Sequence, residues 1–352
     1  MTVSSTRPGP APRASAAVEA ALALPPSRPV TTAPGAAGCT DPGADSTAVL
    51  GTTVPGAAAP GSTAPGAAAY RRLGELLPAL RVHCAPPRTG RGWIAGADLL
   101  THPEALRELI AHDARQGLAR YGRPLRPDVA AGFGLHRFVW PVSLLFTLPW
   151  FLERRVPLLT PADISIRRRT GELTVRPGAF VCLPDDPAAA PGGATARPEA
   201  PGTAGTAAET PCAVRRHTAR TVPDEAALAG ELRIALADFL TPLLAAFRPE
   251  VRRGPRTLWA MATDAAVESL WHAAGLFGEE ERARAELSAL LAPGLQDARP
   301  APECAPFTPG AGFTGPASGS AVHFDRCRAS CCLVYTVEAE AMCAGCPRVT
   351  RG

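Results

Sequence analysis

The sequence runs to 352 residues with a formal net charge of +4, and its 36 basic residues are all arginine. Acidic residues are interleaved with the arginines, so no broad basic field exists of the kind nucleic-acid binding needs. A GC-rich coding bias, which also enriches alanine, proline and glycine, accounts for the missing lysine. Length alone suggests two domains, but only residues able to form a core count toward that number.

Residues 1–68 are mostly Ala, Pro, Gly, Ser and Thr, with P-G-A-A recurring at Pro34, Pro55 and Pro65. Such a segment carries too little apolar surface to offset the entropy of ordering it, and the recurrence has no fixed period. Residues 184–211 and 293–320 have the same composition. All three are expected to be disordered, leaving one folded body over 69–322 and a closing segment over 323–352. The N-terminus lacks an apolar signal-peptide core, which points to a reducing, cytoplasmic setting.

Within the body, "YRRLGELLPALRVH" places Leu73, Leu76, Leu77 and Leu80 on one helical face. "THPEALRELIAHDARQGLARYG" predicts a second helix, with Thr101 as cap and Pro103 and Glu104 in the first turn. Residues 127–152 read as one or two buried helices, interrupted near Pro141 or Pro149. The apolar run 138–151 is too short to span a bilayer. Its alternative role is peripheral contact with the inner face of the cell membrane through Trp140, Phe146, Trp150 and Phe151.

The pattern then changes to "DISIRRRTGELTVRPGAFVCL", which alternates around Thr170-Gly171-Glu172 and predicts a hairpin. Residues 213–222 add a third strand. Pro223, Asp224 and Glu225 open a periodic helix that Pro242 should kink or split and Pro249 should end. "PRTLWAMATDAAVESLWHAAGLFG" and "EEERARAELSALLAP" complete the helices. The fold class is α+β and predominantly helical, with a small antiparallel β unit. Three short clusters, Arg167–Arg169, Arg215–Arg216 and Arg252–Arg253, could line a basic face toward an anionic ligand or lipid.

Gly310-Ala-Gly312-Phe-Thr-Gly315 matches G-x-G-x-x-G but sits between Pro309 and "PASGSA". It lacks the flanking strand and helix that nucleotide binding requires. The histidines, His83, His102, His112, His136, His217, His272 and His323, never pair at H-x-x-x-H spacing. No nucleophile–base arrangement or carboxylate pair is evident, so catalytic residues are not assigned.

Four cysteines close the chain as Cys331-Cys332-x10-Cys343-x2-Cys346. A C-x-x-C turn brings two sulfurs to one ion. The adjacent pair is harder, because neighbouring residues in a strand face opposite ways, so the backbone must turn there. Zinc ribbons use two C-x-x-C knuckles, and a thioredoxin-like dithiol needs a βαβ frame; neither is present. A four-thiolate metal centre is the best reading, with iron–sulfur favoured over zinc. Cys327 is a spare thiol or a competing ligand. Cys39, Cys212 and Cys304 fall in low-complexity sequence, and Cys84 and Cys182 read as packing thiols.

This C-C-x10-C-x2-C pattern, introduced by Arg328-Ala-Ser330 and followed by Leu333, Tyr335 and Pro347, resembles the FhuF-type ferric-siderophore reductases. "RTLWAMATDAAVESL" (256–270) is similar, more weakly, to that family's Arg-x-Leu-Trp helix. The resemblance implies a [2Fe–2S] cluster held by Cys331, Cys332, Cys343 and Cys346. It implies one-electron reduction of a ferric siderophore, with electrons from a ferredoxin or flavodoxin. A zinc-stabilised scaffold and a non-siderophore electron carrier or sensor are the alternatives.

Overall fold

The computed structural model describes residues 64–189, 218–292, 312–314, 325–338 and 347–348. Most of the three stretches expected to be disordered, together with Cys343 and Cys346, lie outside the described residues. Helix α1 (Ala67–Leu76) leads into strand β1 (Arg81–Cys84). The "RVH" end of the first predicted helix is therefore strand, and Leu76 is exposed on the helix it leaves. Val82 and Cys84 alternate with polar neighbours, which suits a pleated edge better than a helix.

After β2 (Ile94–Ala95) come a short helix α2 (Asp98–Thr101) and α3 (Pro103–Tyr121). Thr101 does not cap α3. His102 stands at that position, and the Thr101 hydroxyl donates to the Ala97 carbonyl inside α2.

Helix α4 (Pro127–Glu153) is the centre of the molecule, packing on α3, α5 and α6. It runs unbroken through both prolines, against expectation. Pro149 cannot donate to the Leu145 carbonyl, and that acceptor is filled by the Tyr70 hydroxyl of α1 at 2.6 Å. At Pro149 a neighbouring helix thus supplies from outside the donor that proline removes from within. Among the described residues α4 is the one helix long and apolar enough to cross a membrane, and 94% of its apolar window is buried inside the protein. Trp140, Phe146, Trp150 and Phe151 are all buried, so none is presented to lipid.

Strands β3 (Arg155–Pro157), β4 (Ile164–Arg167), β5 (Glu172–Val175) and β6 (Phe180–Cys182) follow. The β4–β5 hairpin forms as predicted, with Gly171 at φ +67° in its turn. It lies in a four-stranded sheet of order β1-β5-β4-β2, where β1 joins β5 in parallel. Strand β7 (Ala219–Thr221) also joins in parallel, beside β6 in a separate sheet of order β3-β6-β7. The β unit is therefore mixed and not purely antiparallel.

Helix α5 (Glu225–Val251) is capped by Asp224, whose side chain accepts from the Ala227 amide. It too passes through Pro242 and Pro249 without ending. Its buried row of Leu228, Leu232, Leu236, Phe239, Leu243 and Phe247 holds it against the core. Each such side chain contributes roughly 1.5–3 kcal/mol, enough to outweigh a lost helical hydrogen bond. Helices α6 (Pro255–Leu276) and α7 (Glu280–Leu291) complete the body. Strand β8 (Gly312–Thr314), inside a stretch read as linker, pairs with β9 (Asp325–Cys327). Gly312 therefore opens a strand and does not lie between a strand and a helix.

Candidate metal centre

Helix α6 turns Asp264 and Glu268 toward the closing segment. Asp264 is fully buried. Its carboxylate accepts from the Ala329 amide at 2.9 Å, the Ser330 amide at 2.8 Å and the Ser330 hydroxyl at 2.6 Å. Arg328 lies alongside, 3.9 Å from Asp264 and 3.4 Å from Glu268 one turn later. One carboxylate thus fixes the backbone immediately before Cys331 and Cys332. The charge-assisted character of these bonds makes them stronger than ordinary amide pairs.

The chain then turns. Leu333 adopts φ +65°, ψ +4°, a left-handed conformation rare for a branched aliphatic residue. This supplies the bend after the vicinal thiols that a shared metal centre demands. The strained residue is held by packing: Leu333, Val334 and Val337 are buried against Leu125, Val129, Ala130 and Phe133 of α4 and its approach. Gly132 makes the fit, since a Cβ there would stand 3.3 Å from Leu333 Cδ1 and 3.4 Å from Met261 Cε.

Cys331 and Cys332 are half-buried and open into a small pocket with Gly132, Phe133, His136, Met261, Arg328 and Ser330. Two soft thiol donors, a pre-bent backbone and mostly apolar walls suit an iron–sulfur group. Among the described residues no group of three or more His, Cys, Asp or Glu is gathered for a metal. The other two predicted ligands, Cys343 and Cys346, lie outside the described residues, as do His217, His323, Cys39, Cys212 and Cys304. Cys327 is half-buried at the end of β9 and is disulfide-bonded. Cys182 is buried in β6, and burial with help from Asp186 pushes its thiol up to about 11, which leaves it inert.

Three contributors escaped sequence reading. Asp264, Gly132 and His136 come from helices far from the cysteines in the chain. Asp264 gave one signal, a lone acid within "LWAMATDAAV". Gly132 and His136 are four apart, so they share a face of α4, but nothing in sequence relates that face to residue 331.

A second buried carboxylate lies on α3. Asp113 is fully buried and accepts from Arg137 at 2.6 Å and Arg168 at 2.7 Å. This network ties α3, α4 and the β4–β5 turn together. Arg168 belongs to the Arg167–Arg169 cluster, so part of that cluster faces inward.

A family model described as FhuF 2Fe-2S C-terminal domain matches residues 328–348. That span contains Cys331, Cys332, Cys343 and Cys346 together with the Arg-Ala-Ser lead-in clamped by Asp264. No curated protein and no solved structure matches the chain.

Proposed function

Since the chain carries a FhuF-type [2Fe–2S] domain at 328–348, we propose that it is a ferric-siderophore reductase working in the cytoplasm. Cys331, Cys332, Cys343 and Cys346 would hold the cluster, which when bound supplies one-electron redox chemistry. The substrate is Fe(III) chelated by hard oxygen donors. One electron converts it to Fe(II), which such ligands bind far less tightly, and the metal is released. No general acid or nucleophile is required for that step.

The protein's own residues serve to hold and shield. Asp264 fixes the approach of the thiols, Leu333 turns the chain, and Phe133 and Met261 wall the pocket against water. Arg328, paired with Asp264 and Glu268, lines the same pocket as the two sulfurs. The observation that carries the proposal is the vicinal pair, bent and clamped as described, inside the matched span.

Iron and sulfide analysis with EPR on the reduced protein tests the cofactor. Anaerobic reduction of ferric chelates, with Fe(II) trapped by a colorimetric chelator, tests the reaction. A colourless protein holding one zinc would sink the proposal. An iron–sulfur protein that speeds no chelate reduction would be an electron carrier or sensor instead. Cys332→Ser should lose the cluster spectrum and Cys327→Ser should keep it; the opposite pattern would reassign the ligands.

A further inference from the structure

The surface over the cysteine segment is rich in arginine. Elsewhere, the half-buried Arg154 pairs with Glu286 at 2.7 Å and Arg155 with Asp186 at 2.6 Å, and the exposed Arg220 pairs with Glu231 at 2.6 Å. Around the cysteines several arginines rest on other partners. Arg120 lies over the Tyr121 ring, and Tyr121 packs in the same apolar cluster as Cys332. Arg123 donates to the Val337 carbonyl. Arg348 sits 4.1 Å over the Tyr335 ring and donates to its hydroxyl at 3.1 Å. Arg126 and Arg253 share a single carboxylate, Asp128, at 2.8 and 3.4 Å.

The described residues of this face thus hold five arginines against Asp128 and Glu338. Arg120, Arg123, Arg126 and Arg348 are exposed. Their guanidiniums rest on aromatic rings, a backbone carbonyl and one shared acid, so most of their donors face solvent.

Resting on the reductase reading, we infer that this arginine face is the docking surface for an acidic one-electron carrier protein. The carrier would give up one electron and be oxidised by one; the cluster that the thiol segment would hold supplies the acceptor. Complementary charge steers such an encounter and raises its rate without demanding tight binding. An anionic membrane is the weaker occupant. Membrane contact needs apolar side chains as well as charge, and of the exposed large hydrophobics among the described residues only Leu118 neighbours Arg120.

The test uses the full chain with its cluster and a flavodoxin hydroquinone as the acidic donor, mixed anaerobically in a stopped-flow instrument. The second-order rate constant should fall about tenfold between ~20 mM and ~300 mM salt. The Arg120→Glu/Arg348→Glu double variant should lose about tenfold at low salt, and Arg120→Gln alone should lose less. Dithionite reduction and cluster absorption should match the unsubstituted protein. A salt-independent rate, or an equal loss with dithionite, overturns the inference. So does salt-sensitive binding to phosphatidylglycerol vesicles with an unchanged donor rate. Fast, salt-sensitive electron uptake without ferric-chelate turnover would uphold the face and defeat the reductase reading, so the two fail separately.

Discussion

Asp113 on α3 and Asp264 on α6 are both fully buried, yet they are neutralised by different means. Asp113 is met by two guanidiniums, while Asp264 is met chiefly by backbone amides and a hydroxyl. The first arrangement is incompletely satisfied. Asp113 Oδ2, Arg137 Nε and Arg168 Nη1 are buried without hydrogen-bond partners among the described residues, and burial pulls the Arg168 pKa down against the pull of Asp113. The second orients a segment that has little regular structure of its own. A buried ion network fixes how elements pack, and a buried carboxylate facing amides fixes where a loop's side chains go.

That contrast predicts opposite failures. Asp113→Asn leaves two buried guanidiniums without a compensating charge and should cost about 3–5 kcal/mol in urea unfolding. The fraction that remains folded should keep its full cluster absorption. Asp264→Ala should cost less globally, about 1–3 kcal/mol, because the helices do not depend on it. It should nonetheless lose most of the cluster absorption while the helical circular dichroism persists. If both variants lost cluster and stability in proportion, the division between packing and positioning would be wrong.

A finer probe is Gly132, where α4 meets Leu333. The atoms a Cβ would press are the ends of flexible side chains, so Gly132→Ala should be tolerated, with a change under about 1 kcal/mol. Gly132→Val adds bulk that Leu333 and Met261 cannot both evade and should cost about 1–3 kcal/mol. It should displace the left-handed turn and weaken cluster retention in a gel-filtration assay. Equal cluster content in all three proteins would show that Leu333 does not set the thiols.

How far the sequence discloses all this depends on the range of the interactions involved. The β4–β5 hairpin and the opening of α5 at Pro223–Glu225 are local, made by residues within a few positions, and are legible in the sequence. Proline effects were misjudged in α4 and α5 because the compensation is tertiary: Tyr70 sits 75 positions from the Leu145 carbonyl it satisfies. The cysteine spacing indicated a metal centre and the need for a bend. It could not indicate Asp264, 66 positions from Ser330, since a lone acid in a helix has no periodic signature.

The smallest effect extends the comparison to buried groups that have no opposite charge in contact. His272 on α6 packs its ring 5.9 Å from Trp140, and its Nε2 is buried without a partner among the described residues. Burial lowers its pKa, opposed by Glu268; burial also lowers that of His112, with Arg168 adding to the effect. For both, the unfolded chain binds the proton more readily than the folded one. Stability should therefore be full above the ordinary imidazole pKa of about 6.5 and fall as pH drops below it. Carboxylates remain ionised between about pH 7.5 and 5.5, so this window isolates the histidines. Each group can contribute at most ~1.4 kcal/mol per pH unit. Urea midpoints across the window should decline for the unsubstituted protein and decline less steeply for His272→Leu. An identical slope would mean that His272 is protonated in the folded state, with Glu268 outweighing burial.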